Sequence, residues 1–257
     1  MSKHRHRTTM MWVRYSTVKK VVALLGLAVL LVTFVLYENP VSRTWNSWGL
    51  PLSGKVIVLD AGHGGPDGGA VSKGGVIEKD LNLAIALYLR DYLQQAGAVV
   101  VLTRERDHDL ASPDTRSYAR RKTEDLKQRV RMIEEQSPDL FVSIHMNSMP
   151  SSRWSGAQTF YYPNHADNAE VAELIQDEIR RSMENTDRVA KTVNTVYLLQ
   201  KLQVPSALVE IGFLSNPAEA RLLADEAYQR KVSAALYKGI LRYMSGEKLN
   251  PSSKPGG

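Results

Sequence analysis

KVIVLDAGHGG, Lys55 to Gly65, is the stretch from which the fold of this 257-residue chain is read. Lys55 to Leu59 is a short β-branched run and predicts a strand. Behind it, Gly62, Gly64 and Gly65 let the backbone turn sharply and approach a ligand closely around His63. Outward from there, Leu81 to Gln95 places its apolar residues on one broad helical face and Ala98 to Thr103 (AVVVLT) predicts a second strand, a βαβ beginning. A polar helix at about Ser117 to Gln136 follows, then strands at Leu140 to His145 and Ala157 to Tyr162. A helix at about Ala166 to Glu184, strands at Val196 to Leu199 and Ala207 to Ile211, and a helix at Glu226 to Met244 complete the pattern. Asn216-Pro217-Ala218-Glu219 adds a helix start, with Asn as cap, Pro in the first turn and Glu at the third position. Such alternation predicts an α/β fold, a single-domain sandwich with a mainly parallel, mixed sheet flanked by helices.

The apolar share of 43% supplies one proper core, and no internal period suggests a repeat protein. No cysteine is present, which excludes thiol nucleophiles, disulfides and every Cys-based zinc site, so any metal must be held by His, Asp or Glu. The formal charge of +6 is matched by six cations, Lys3, Arg5, Arg7, Arg14, Lys19 and Lys20, with no acid among the first 37 positions. The remainder is formally neutral, which gives a nucleic-acid-binding face little support. Instead the cations precede Val21 to Tyr37, 17 residues without a charge, about 25 Å long as a helix. This is the pattern of a membrane anchor or uncleaved signal with a cytoplasmic basic flank and an extracytoplasmic body, and no small-x-small cleavage site follows Leu36. The expected organisation is a flank at 1–20, the anchor helix at 21–37, a linker at 38–54, a catalytic domain at 55–245 and a disordered tail at 246–257.

Four residues are candidates for the chemistry. His63, Glu78, His145 and Glu210 each stand beside apolar, strand-like sequence, and in open α/β sheets ligands lie beyond the carboxyl ends of strands. His63 and His145 fall there, and Glu210 lies in or at the end of a third strand. Two imidazoles and one carboxylate can hold zinc with a position open for water, while a second carboxylate serves as base. Each residue also has a plainer reading. His63 can be incidental to a glycine turn, Glu78 can be a carboxylate favoured at a helix start, and Glu210 can sit in a structural salt bridge. His145, ending a buried strand, needs a polar partner, and burying Glu210 within Ala-Leu-Val-x-Ile is costly unless a cation or hydrogen bonds compensate. His4 and His6 belong to the basic flank, and His108 and His165 to polar loops. A phosphate loop lacks its GKS or GKT end and a GxGxxG spacing. HExxH and GxSxG are also absent, which disfavours zincins and serine hydrolases.

LDAGHGGPDGGA, IEKDLNLAIA, LTRERD, LKQR at Leu126 to Arg129, LFVSIHMNS and ALVEIGFLSN together resemble the zinc-dependent N-acetylmuramoyl-L-alanine amidases, the amidase-3 family, from Lys55 to Met244. The resemblance implies Zn2+ bound by His63, Glu78 and His145, and Glu210 as the catalytic residue. It implies hydrolysis of the amide between the lactyl group of N-acetylmuramic acid and L-alanine of the stem peptide in peptidoglycan. Zinc would polarise the lactyl carbonyl and lower the pKa of its water towards about 7, and Glu210 would take the water proton and return it to the alanine nitrogen. One departure is Met132-Ile133-Glu134, where Ala-Asn is common in the family, which bears on helix packing. LPLSGK at Leu50 to Lys55, SYARRKTEDLKQR and RWSGAQTFYY resemble more narrowly the membrane-anchored spore-cortex amidases of endospore-forming bacteria. That likeness implies a place in the forespore envelope, a polysaccharide deacetylase acting afterwards to give the muramic-δ-lactam read in germination, and an activating spore protein as partner.

Two other functions fit the same residues: a zinc exopeptidase or carboxypeptidase on wall peptides, and an anchored cell-wall-binding protein without turnover. The second would be favoured by loss of one of the four residues, and all four are present. Arg129 reads equally as a support for the site or substrate and as a surface ion pair. Trp154 reads as a sugar platform or, more commonly for a loop aromatic, as a cover for the core.

Overall fold

In a parallel sheet covered on both faces, strands become continuous apolar runs. The computed structural model describes residues 15–36 and 49–249 and divides into an N-terminal helical unit and a domain from Leu50 onward. Its elements are α1 (Tyr15–Leu36), β1 (Val56–Ala61), α2 (Glu78–Gln95), β2 (Val99–Leu102), α3 (Tyr118–Gln136), β3 (Leu140–Asn147), β4 (Gln158–Tyr161), α4 (Asn168–Met183), β5 (Lys191–Thr192), α5 (Tyr197–Lys201), β6 (Ser206–Phe213), α6 (Pro217–Leu223) and α7 (Glu226–Met244). The sheet order is β2-β1-β3-β6-β4-β5. β2, β1, β3 and β6 run parallel, and β4 is antiparallel to β6.

Ile57, Leu59, Val142, Ile144 and Val209 face a large core closed by α2, α4 and α7, with Leu89, Ile175 and Leu236 all fully buried. Val58, Phe141 and Leu208 face a smaller core with Ile133 of α3 and Leu198, Leu199 and Leu202 at α5. The Met132-Ile133-Glu134 departure is thus accommodated by burying Ile133. Helix α6 starts as expected: Asn216 Oδ1 accepts from the N–H groups of Ala218 and Glu219 at 3.0 and 3.2 Å.

Three expectations need correction. The strand expected at Val196 to Leu199 is helix α5, because Leu198, Leu199 and Leu202 fall at helical spacing onto the smaller core. The linker does not reach residue 54: Leu52 is fully buried and its N–H donates to the Ala96 carbonyl at 2.9 Å, while 38–48 lie outside the described residues. Residues 246–249 are tied back, Glu247 pairing with Arg242 at 2.7 Å and Lys248 with Glu170, and 250–257 lie outside the described residues.

Considered by itself, α1 begins six residues before Val21 and takes in Lys19 and Lys20. Its 22 residues span about 33 Å, and the Tyr15–Thr33 segment is long and apolar enough to cross a membrane. Residues 1–14 and Tyr37 lie outside the described residues.

Candidate metal centre

β1, β3 and β6 end side by side, and their carboxyl ends carry His63, His145 and Glu210. His145 on β3 stands opposite Glu210 on β6. His63 lies two residues beyond β1 with φ of 64°, a conformation uncommon for a residue with a side chain. Two buried arginines hold it there: Arg104 Nε and Arg129 Nη2 donate to the His63 carbonyl at 2.8 and 2.6 Å. Both also donate to the Ala61 carbonyl, so the chain leaving β1 is gripped from two sides.

Glu78 is the first residue of α2 and is buried. Its Oε1 lies 3.2 Å from His63 Nε2 and 3.0 Å from His145 Nδ1, and accepts from the Met146 N–H at 3.1 Å. Oε2 accepts from the Ala70 N–H at 2.8 Å. Burial alone would raise this carboxyl, but hydrogen bonds and charge from the two imidazoles outweigh it and hold Glu78 well below the usual carboxylate range. One ligand atom from each of His63, Glu78 and His145 lies within 4.8 Å of the others. Donors around a tetrahedral ion with bonds of about 2.0–2.1 Å sit about 3.4 Å apart; the 3.0 and 3.2 Å separations from Glu78 lie near that spacing, and the three donors together lie within 4.8 Å of one another. The donors, two nitrogens and a carboxylate oxygen, are of the type zinc takes.

Asp67 completes the arrangement and was not singled out by the sequence reading. Its Oδ2 accepts from His63 Nδ1 at 3.0 Å, which leaves Nε2 turned towards Glu78. Asp67 is itself fixed by the Tyr118 hydroxyl and by Lys122 Nζ, each at 3.0 Å. Burial favours neutral His63, but hydrogen bonds to Asp67 and Glu78 outweigh it and raise the metal-free imidazole to about 9. The signal was present as a carboxylate four residues after the histidine, but that spacing means contact only once the turn is known.

Glycine makes room at two points. A Cβ on Gly62 would overlap the His145 ring, and one on Gly69, where φ is 69°, would lie 2.5 Å from Glu78 Oε2. Glu210 is partly buried, and its Oε2 is shielded without a hydrogen-bond partner among the described residues. Burial, with the Glu78 charge adding, raises its carboxyl to about 7 against the opposing pull of His145 and His63.

Arg129 is not a surface ion pair but a buried one. It is 1% exposed, binds Asp60 Oδ1 at 2.6 Å and Asp125 Oδ2 at 2.9 Å, and holds the His63 backbone through its carbonyl. Asp60 also accepts from Thr103 and Ser143. Trp154 does not cover the core; it is 41% exposed, with Arg153 and Arg188 against its ring. His108 and His165 make backbone contacts within their loops, at 3.2 Å to the Arg106 carbonyl and the Asp167 N–H.

Comparison with known proteins converges on one family. The N-acetylmuramoyl-L-alanine amidase family model matches residues 57–242. The germination-specific N-acetylmuramoyl-L-alanine amidase of Bacillus subtilis (strain 168) is 54% identical over 228 residues, spanning 89% of this chain and 95% of that protein. The solved CwlD amidase from Clostridioides difficile, in complex with the GerS lipoprotein, has a TM-score of 0.73 at 42% identity and covers 75% of this chain and 100% of its own. The amidase AmiC2 of Nostoc punctiforme has a TM-score of 0.66 at 31% identity, covering 75% of this chain and 99% of its own. A match that runs from the first core strand into the last helix, with a relative sharing more than half its residues over nearly its full length, decides the assignment: the chain belongs to the N-acetylmuramoyl-L-alanine amidase family of peptidoglycan hydrolases.

Proposed function

We propose that His63, Glu78 and His145 hold a zinc ion, and that Glu210 moves the protons as the muramoyl–alanine amide of spore-cortex peptidoglycan is hydrolysed. The observation that carries this reading is the approach of the three donors to within 4.8 Å of one another beside a carboxylate whose inner oxygen is otherwise unpartnered. When bound, the ion supplies Lewis acidity that polarises the scissile carbonyl and acidifies a water molecule. Asp67 fixes the His63 tautomer, and Arg104 and Arg129 fix its backbone. Glu210 takes the proton of the attacking water and then delivers it to the departing alanine nitrogen. A carboxyl near 7 in the metal-free chain suits a group that must both accept and donate, and a cation beside it favours the ionised form at rest.

Kinship with the germination-specific amidase supports the cortex as substrate. In that setting the peptide-free muramic acid passes to a polysaccharide deacetylase and on to muramic-δ-lactam. The GerS lipoprotein bound to the Clostridioides CwlD supports an activating spore protein as partner. Helix α1, preceded by cations, anchors the chain with the catalytic domain on the extracytoplasmic, forespore-envelope side. Roles within the site separate by substitution: Glu210→Gln keeps zinc and loses turnover by about 10²–10⁴-fold, whereas His145→Ala loses the metal. Equal metal loss in both would make Glu210 a ligand and overturn its assignment as base.

A further inference from the structure

Arg153, Trp154 and Arg188 form an aromatic, cationic cluster that the chemistry above leaves unused. Arg188 donates from Nε to the Ser155 carbonyl at 3.1 Å and from Nη1 to Gln158 Oε1 at 3.2 Å. Its guanidinium lies 5.1 Å from the Phe213 ring and 5.6 Å from the Trp154 ring, and the Arg153 guanidinium lies 5.5 Å from Trp154. Neither arginine makes an ion pair among the described residues. The acid whose titration Arg188 affects is Glu219, and its oxygens already accept from the Gly156 and Phe213 N–H groups at 2.9 and 2.8 Å. Gln158 stands directly opposite Glu210 across β4 and β6, and residues opposed in this way project to the same face. Arg188 is therefore hydrogen-bonded to the side chain that stands opposite Glu210. Stacking on aromatic rings keeps its planar fork in place while Nη2 stays available.

A rigid guanidinium with unspent charge, beside a second one and an exposed indole, is built to take a carboxylate. On the amidase reading, on which this inference rests, the lactyl carboxyl of the sugar is consumed in the scissile amide. The free carboxylates then lie on the stem peptide. We propose that Arg188, with Arg153 and Trp154, forms a subsite that reads a stem-peptide carboxylate and so sets which peptides are cleaved.

The test uses the zinc-loaded full chain and two muramoyl peptides that differ only in whether the residue after L-alanine carries a free carboxylate or a carboxamide. Unaltered protein should favour the carboxylate. Arg188→Gln should raise KM for it about tenfold with kcat little changed, and leave the carboxamide substrate unaffected. Arg153→Gln, at an exposed position, should give a smaller change of the same kind. Equal losses on both substrates, or no preference in the unaltered protein, would overturn the subsite. If neither substrate is cleaved even with the activating partner added, the amidase reading fails instead, and calorimetric titration of both peptides into Glu210→Gln decides the subsite alone: tighter binding of the carboxylate form that Arg188→Gln removes supports it, and equal binding overturns it.

Discussion

Replacing Arg129 by methionine removes a buried charge while keeping a side chain of similar length. The guanidinium donates to Asp60 Oδ1 and the His63 carbonyl, each at 2.6 Å, to Asp125 Oδ2 at 2.9 Å and to the Ala61 carbonyl at 3.0 Å. Burial alone would raise the Asp60 carboxyl, but Arg129, helped by His145 and Ser143, holds it at about 2. A carboxyl at about 2 rather than 3.8 contributes about 2 kcal/mol to folding at neutral pH. Because the folded value is depressed, that contribution is present above pH 3.8 and is lost as pH falls through about 2. Without Arg129 the buried carboxylate loses its cation and two carbonyls lose a donor. Breaking a buried pair in this way costs about 3–5 kcal/mol. For a domain of about 200 residues this lowers Tm by about 6–20 °C. Thermal unfolding of the metal-free chain at pH 7 reads the loss, and Asp60→Asn in the same chain should restore part of it, because the stranded charge is gone. A loss below about 1 kcal/mol, or strict additivity of the two substitutions, would refute the role given to the pair.

Metal affinity should depend on pH through His63. Its imidazole stays protonated to about 9 in the metal-free chain, and zinc must displace that proton, so affinity should rise about tenfold per pH unit from 7 to 9 and then level. In Asp67→Asn, without the anionic partner, the rise should end at a lower pH; chelator competition across this range measures both, and a flat profile in the unaltered protein would contradict the assignment. Gly62→Ala should drive the His145 ring from its place and lower zinc content while far-ultraviolet circular dichroism stays unchanged; full zinc occupancy would show that the close approach is not needed.

The parts of the fold read correctly from sequence were those with one dominant signal. Ile57-Val58-Leu59, a short β-branched apolar run next to a glycine turn, reads as a buried strand, and Asn216-Pro217-Ala218-Glu219 carries its helix start in four residues. Val196 to Leu199 misled because Val and Tyr favour strands locally, whereas the placing of three leucines on the smaller core decides for a helix. At the site, Glu78 alone looked like an ordinary helix-start carboxylate; its Oε1 is shared between two imidazoles because the turn after β1 brings His63 back over α2. Arg104 was opaque, and Arg129 open between two readings, for another reason. Their principal partners include backbone carbonyls at 61–63, and no side-chain pattern announces a contact with backbone.

Which bond is cut separates an amidase from every other wall hydrolase. The zinc-loaded chain should be incubated with intact cortex peptidoglycan, and the products separated and sequenced from their amino ends. Release of peptides beginning with alanine, together with peptide-free muramic acid in otherwise intact glycan, is the result predicted here. Release of sugar reducing ends without free peptides, or of peptides cut only at their carboxyl ends, would contradict it.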